Sequence, residues 1–568
     1  MVAAHALPEP DFGLTDAWRG ATGYCIVDAG DAPAPQFLAT WRAWQRDPYR
    51  PRILHYVAFA PRLNDWAQSL GPAGQSADLE LLERELDGAC GALTTGIQRL
   101  RLERGAIQLT LCVGETRHML RALGCEADAL WLGSNAPERQ AQWRDTDWLK
   151  ALARHCRRGT RIRLQGKLAT PEMLAGLRHT GFRFDEAHGA AIHSGVYDPP
   201  WDLRRKPLQR TAPTQALVVG AGLAGAAVAA SLAQRGWQVQ VIDAAAAPAQ
   251  GASSLPVGLM VPHVSADDAP LSRASRAGLR ATLHACRTML REGQDWQPTE
   301  AVREGRCIED AAWIKPAALV RAWLAQPGIR FVGGLRVAGV RRSNPDPVLG
   351  AHWQVLDDQA RVLAQAPLLV ICTAFDGVGM LARLPGAAAP LPCDEVAGQV
   401  AFGPWTSALA SAAPGHPVSG HGHFIPDVAG DSGRFWLSGS TYERASLHAL
   451  DARAGLEANG LRISGLLEPG APRAAALIRD QFVEGQVGSW AGQRCTSRDR
   501  FPLAGACSAD WPGLFLSTAM GSRGLSFAAL CAELVAAQLH GEPIPLEMGL
   551  ARAFSAQRFM KKAAQALF

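Results

Sequence analysis

No two of the twelve cysteines are separated by only two residues, so neither a zinc knuckle nor a CxxC redox pair is written in this chain. Aromatic residues are sparse at 7%, and only five are tyrosines, at positions 24, 49, 56, 197 and 442. Charge of one sign is lacking too: 57 Lys and Arg against 52 Asp and Glu leave +5, so any nucleic-acid surface must be argued locally. The start, MVAAHALPEPDFG, has no basic n-region and no apolar h-region, which points to the cytoplasm and reduced thiols. The long uncharged run Ala216 to Ala233 is built from Gly and Ala rather than Leu and Ile, and reads as a buried strand and helix, not a membrane span. What is present is core: 48% hydrophobic and 19% charged residues over 568 positions exclude global disorder and suggest about three or four domain-sized units.

The segment 198–213, DPPWDLRRKPLQRTAP, mixes prolines with cations and reads as a linker. Before it, 1–197 alternates strand-like runs (GYCIVDAG, ILHYVAFAP, IQLTLCVG, ADALWLG) with helix-like runs (PQFLATWRAW, LELLERELDGACGAL, TRHMLRALG). That alternation predicts an α/β fold with a parallel sheet between helices. After it, 214–568 opens with a strand (Ala216 to Val219), a glycine turn, a helix (about Leu223 to Arg235) and a second strand (Gln238 to Ile242) ending in Asp243. PLLVICTA reads as a further buried strand. PGLFLSTAMGSRGLSFAALCAELVAAQL reads as strand, turn and helix.

The spacing Gly220-x-Gly222-x-x-Gly225 is weak alone but gains from its context between a buried strand and a small-residue helix. Gly220 permits a tight turn, Gly222 a close approach to a pyrophosphate, and Gly225 close packing of helix on sheet. The helix start offers free N–H groups to phosphates, and Asp243 is placed to accept from an adenosine ribose. One such fingerprint, not two, disfavours a flavoprotein with a second nicotinamide site. The turn Gly521-Ser522-Arg523-Gly524 supplies a second helix N-terminus, suited to negative charge on a reduced flavin.

GASSLPVGLMVPHVSADDAPLSR (251–273), GQV (398–400), GSTYE (439–443), AGQRCTSRDRFPLAG (491–505) and TAMGSRGLSFAALCAELVAAQLHGEPIPLE fall in one order that resembles the oxidoreductase half of the MnmC family of bifunctional tRNA-modifying enzymes. That half is similar to glycine and D-amino-acid oxidases. The resemblance covers about 214–568. It implies FAD-binding parts at about 214–300, 365–380 and 490–568, with Ser253 among the cofactor contacts, and an inserted α+β substrate subdomain at about 301–364 and 381–489. It implies tRNA as partner. The reaction it implies is oxidation of a carboxymethylaminomethyl group on a wobble uridine to aminomethyl, with loss of glyoxylate. Arg494 matches the family's carboxylate-binding arginine. Tyr442 is the one tyrosine after residue 200 and the one phenol available to help; a half-buried strand tyrosine is the plainer reading. His263 falls in an apolar run, where a satisfied core histidine is the plainer reading. Ser254 and Leu255 replace the family's Gly and Asn, which bears on the loop near the flavin.

The first domain is similar to the family's methyltransferase half, but with its chemistry missing. DAGDAPAPQFLATWRAW (28–44) keeps only Gly30 of a glycine loop, Ala60 stands where an acid is expected at the ribose, and Gly133 replaces the Asp of the reaction centre. Asp28 and Glu115 remain as acids. These departures argue against S-adenosylmethionine binding and methyl transfer. The basic run Arg154, Arg157, Arg158, Arg161, Arg163 and Lys167 suits RNA phosphates, with Arg157, Arg158, Arg161 and Arg163 as candidates; a solvated strand edge is the plain alternative. Four readings stay open: the flavin-dependent tRNA-modifying oxidase, a free glycine or D-amino-acid oxidase, the full bifunctional enzyme, and a non-catalytic tRNA-binding module. No metal and no membrane is expected, and the oligomeric state is not written in the sequence.

Overall fold

The computed structural model describes residues 14–30, 33–62, 65–66, 93–133, 145–165, 169–185, 192–203, 208, 210–344, 350–386, 390–444 and 451–559. The expected helix LELLERELDGACGAL and Lys167 lie outside them, except for the helix's last residue, Leu93. The chain forms two compact units, 1–212 with 536–551, and 213–535 with 552–568.

Among the described residues of the first unit, an eight-stranded sheet runs in the order Gly96–Leu102, Ile107–Val113, Ile53–Ala60, Gly23–Asp28, Ala127–Leu132, Cys156–Gln165, Ile192–Tyr197, Phe182–Phe184. Its centre is parallel and almost wholly buried, as strands covered on both faces are, with His55, Gln108 and Asp128 among the few polar side chains it encloses. The edges are not parallel: Gly96–Leu102 and the pair Ile192–Tyr197 and Phe182–Phe184 join antiparallel. The four strand runs expected from the sequence pair in parallel; the antiparallel flanks are additional to them. The edge strands carry polar or exposed alternate positions, which an open flank tolerates. The unit is completed from the far end of the chain. Arg99 donates to the Pro543 carbonyl at 2.7 Å, Ile97 N–H to Glu547 at 3.3 Å, and Ile544 N–H to the Gly124 carbonyl at 2.8 Å.

In the second unit, Ile329–Val332, Gln238–Ile242, Gln215–Val219, Leu368–Ile371 and Leu514–Thr518 form a parallel sheet, with Leu503–Ala506 antiparallel at one edge. The helix Leu223–Gln234 is almost entirely buried, and its alanines let it lie close to the strands. It is tied to the helix Gly524–His540 by an ion pair, Arg235 to Glu533 at 3.0 Å, with both side chains under 5% exposed and Ser231 donating to the same carboxylate. A second sheet, mostly antiparallel, includes Cys393–Pro404, Gly422–Gly430, Gly433–Gly439 and Gly488–Ser497. A three-stranded sheet, 339–366, completes the unit. Among the described residues, no helix is long and apolar enough to cross a membrane, and no cluster of three or more His, Cys, Asp or Glu is placed to hold a metal ion.

Candidate functional site

The strand Gln215–Val219 delivers the chain into a turn at Gly220, whose φ of +105° is left-handed. A β-carbon there would lie 2.8 Å from the Cys372 carbonyl. A β-carbon on Gly225 would lie 1.8 Å from the Gly220 carbonyl, so helix and turn meet backbone to backbone. The first helical N–H, that of Leu223, is taken by the Ser253 hydroxyl at 3.0 Å, beside Gly222. The next N–H groups of that first turn have no partner within the helix and remain for an anion. Asp243 closes the adjacent strand. Its two oxygens accept from Ala221 N–H at 2.6 Å and Ala245 N–H at 2.8 Å. A carboxylate oxygen takes more than one donor, so a pair of ribose hydroxyls is still accommodated.

The returning turn, Gly521 to Gly524, comes to the same place: a β-carbon on Gly524 would touch Leu223 at 3.4 Å. Ser522 is exposed, and the guanidinium of Arg523 is held below its usual pKa by burial and by Arg500 and Arg303. The structure thus brings Gly220, Gly222, Gly225, Asp243, Ser253 and the Gly521–Gly524 turn into one region. These residues fit an adenine-dinucleotide flavin: a glycine cradle, open helix-start N–H groups and a fixed acid.

Arg494 lies on the strand Gly488–Ser497, opposite Val396. Its Nη2 donates to Ser440 Oγ at 2.8 Å, while its buried Nη1 has no hydrogen-bond partner among the described residues. Gly398 makes the room, since a β-carbon there would sit 2.7 Å from Nη2. Burial lowers the arginine's pKa, with Tyr442 opposing. A half-satisfied buried cation is a receptor for an anion. Tyr442 is 53% exposed, more open than the half-buried strand position expected of it.

His423 was not singled out in the sequence. Burial and the Arg494 charge push its pKa down to about 4, and its Nε2 has no partner among the described residues. Its hairpin partner is Gly439, but the sheet order that joins this hairpin to the Arg494 strand across Cys393–Pro404 is announced by no local pattern. His263 is engaged instead, its Nδ1 2.9 Å from the Ser272 hydroxyl. The altered loop is packed rather than open: Ser254 donates to the Gly251 carbonyl and accepts from Trp490 Nε1, both at 2.9 Å, and Leu255 joins the apolar cluster of Val257 and Trp313.

In the first unit the remaining acids are occupied. Asp28 accepts from Gly30 N–H at 2.8 Å and from the Tyr56 hydroxyl at 2.5 Å. Glu115 caps the helix Thr116–Ala122 through the N–H groups of Arg117 and His118. A β-carbon on Gly30 would meet the Gly133 carbonyl at 2.7 Å. Of the basic run, Arg157 pairs with Asp128 at 2.5 Å, and Arg158 bonds Asp198 and the carbonyls of Pro199 and Trp201. Arg161 is exposed on its strand and Arg163 half-buried.

Residues 215–299 and 280–538 match the family model described as FAD dependent oxidoreductase. The chain is 37% identical to the tRNA 5-methylaminomethyl-2-thiouridine biosynthesis bifunctional protein MnmC of Polaromonas naphthalenivorans, over 96% of this chain and 92% of that protein. It is 39% identical to the protein of the same name from Albidiferax ferrireducens, over 98% and 96%. Among solved structures, glycine oxidase from Geobacillus kaustophilus superposes with a TM-score of 0.45 at 18% identity, covering 60% of this chain and 98% of that one.

Proposed function

Since the chain belongs to the family of MnmC bifunctional proteins, and over 215–538 to the FAD dependent oxidoreductases, we propose that it modifies tRNA by oxidising a carboxymethylaminomethyl group on the wobble uridine. The carbon between amine and carboxylate loses a hydride, water adds to the resulting imine, and glyoxylate leaves an aminomethyl uridine behind. FAD, when bound, supplies the hydride acceptor. Gly220, Gly222, Gly225, Asp243, Ser253 and the turn Gly521–Gly524 would hold it. The observation that carries the reading is the unpartnered Nη1 of Arg494: a carboxylate completes it, and the grip orients the neighbouring C–H. Ser440 fixes the guanidinium from the other side. His423 is neutral at ordinary pH and offers Nε2 to the substrate's polar atoms. Tyr442 lies at the opening of the site.

In this reading the segments 301–364 and 381–489 make up the substrate subdomain, and the protein works on tRNA in the cytoplasm. Methylation by the first unit is lost. Asp28 and Glu115 serve the fold, and the Gly30–Gly133 contact closes the place where a cofactor would approach. The test is nucleoside mass spectrometry of tRNA carrying the carboxymethylaminomethyl group, incubated with holoenzyme and S-adenosylmethionine. Aminomethyl product alone is expected. Methylaminomethyl product would restore the first activity, and untouched tRNA with turnover of free glycine would replace the reading.

A further inference from the structure

Beside Tyr442 the second unit opens into a cavity of about 790 Å³. Its lining includes Arg444, Arg498, Arg500 and Arg523 against one acid, Asp394, a net charge of +3. None of these four guanidinium groups has an ion-pair partner among the described residues, unlike Arg558 beside them, which pairs with Asp499. The acid placed to neutralise two of them is diverted: Asp499, between Arg498 and Arg500, receives both Nε and Nη2 of Arg558 at 2.7 and 2.8 Å and the Ser497 hydroxyl at 2.9 Å. The arginines also repel one another, since Arg500 is among the charges depressing the pKa of Arg523. Such a cluster draws anions, and planar forks suit phosphate. The same lining carries the 53% exposed ring of Tyr442, a flat surface of the kind on which unpaired bases stack.

We propose that this cleft binds phosphodiester groups of single-stranded RNA, those flanking the nucleotide whose substituent reaches Arg494, with Tyr442 stacking a neighbouring base. The inference rests on the tRNA reading above and adds where the strand is held. The cleft is built on the ends of Cys393–Pro404 and Gly488–Ser497, and a bridge from Thr496 to Met520 joins it to the Gly521–Gly524 turn. Strand and oxidation site therefore share one frame.

The experiment compares flavin-loaded wild type with the full-length triple variant Arg444→Ala, Arg498→Ala, Arg500→Asn. Asn is chosen because residue 500 has a left-handed φ of +65°. Binding of the carboxymethylaminomethyl tRNA is followed by fluorescence anisotropy across a salt series, beside turnover. The expected result is a salt slope shallower by about 2, from roughly 0.7 per lost single-strand phosphate contact, a KM for tRNA raised at least about tenfold, and unchanged kcat and flavin absorbance. Unchanged affinity and slope in a variant that keeps its flavin overturns the cleft while leaving the oxidase reading intact. A wild type that neither binds nor oxidises this tRNA overturns both. Should the variant lose its flavin, photo-crosslinking of wild type to tRNA with 4-thiouridine in the anticodon loop decides. Crosslinks at 442–444 or 496–500 support the cleft, and crosslinks confined to 157–163 overturn it.

Discussion

Two turns in this chain follow a central parallel strand and lead into a helix, one at Gly30 and one at Gly220. In the second unit the turn leaves its polar groups available. Ser253 takes one N–H of the helix start, those of Ala224 and Gly225 have no intrahelical acceptor, and Asp243 holds the loop. In the first unit the same architectural position is closed on itself: Asp28 is shared between Gly30 N–H and Tyr56, and Gly30 abuts the Gly133 backbone. A nucleotide-binding frame is not by itself a nucleotide site. What separates the two acids is access: Asp28 is buried and shares the Tyr56 hydroxyl, whereas Asp243 is half-buried and accepts from two backbone N–H groups.

Matched alanine substitutions give the sharpest test of that contrast. Gly225→Ala drives a methyl into the Gly220 carbonyl and is expected to abolish flavin absorbance in purified protein. Gly30→Ala is expected to leave flavin content and oxidation unchanged while destabilising the first unit by about 1–3 kcal/mol, read from thermal unfolding. Flavin loss from the second variant would break the comparison.

Arg494→Gln removes the open cation. With two charge-assisted hydrogen bonds to a carboxylate at stake, kcat/KM should fall about 10²–10⁴-fold with the flavin spectrum retained. A tenfold loss or less would mean that the guanidinium holds the fold and not the substrate.

His423 sets a pH signature. Its folded pKa of about 4 lies below the unfolded value near 6.5, so the unfolded state binds the proton first as pH falls. Stability is highest above pH 6.5 and drops by about 3 kcal/mol as pH falls to about 4. His423→Asn should flatten that limb of the unfolding curve, and an unchanged limb would show the imidazole to be solvated. The smallest effect belongs to Glu115→Ala: loss of a helix cap, about 1 kcal/mol, with oxidation untouched.

Much of the second site could be read in advance. Gly220, Gly225 and Asp243 stand out because a turn between strand and helix leaves a local signature, and Arg494 stands out within the AGQR motif. His423 does not, because its neighbour Arg494 arrives on a strand distant in the chain. The pairing of Arg157 with Asp128 was hidden for the same reason: a run of cations is visible in sequence, whereas the acids that answer it are not. The antiparallel flanks of the first sheet were hidden because a short strand has the same alternation in either direction.

The assignment of 536–551 to the first unit has a consequence for how the protein is made. The first unit leaves the ribosome complete only as far as residue 212. The segment that pairs with Gly124 and Arg99 follows more than three hundred residues later. At roughly 5–20 residues per second, the nascent first unit waits about 16–65 s for its last piece, while residues 213–535 of the second are synthesised between. Gene fragments cut at the boundary would therefore yield an amino-terminal half that lacks the segment bonded to its own sheet edge, and separate expression of the two halves calls for a graft of 536–551 rather than a simple scission.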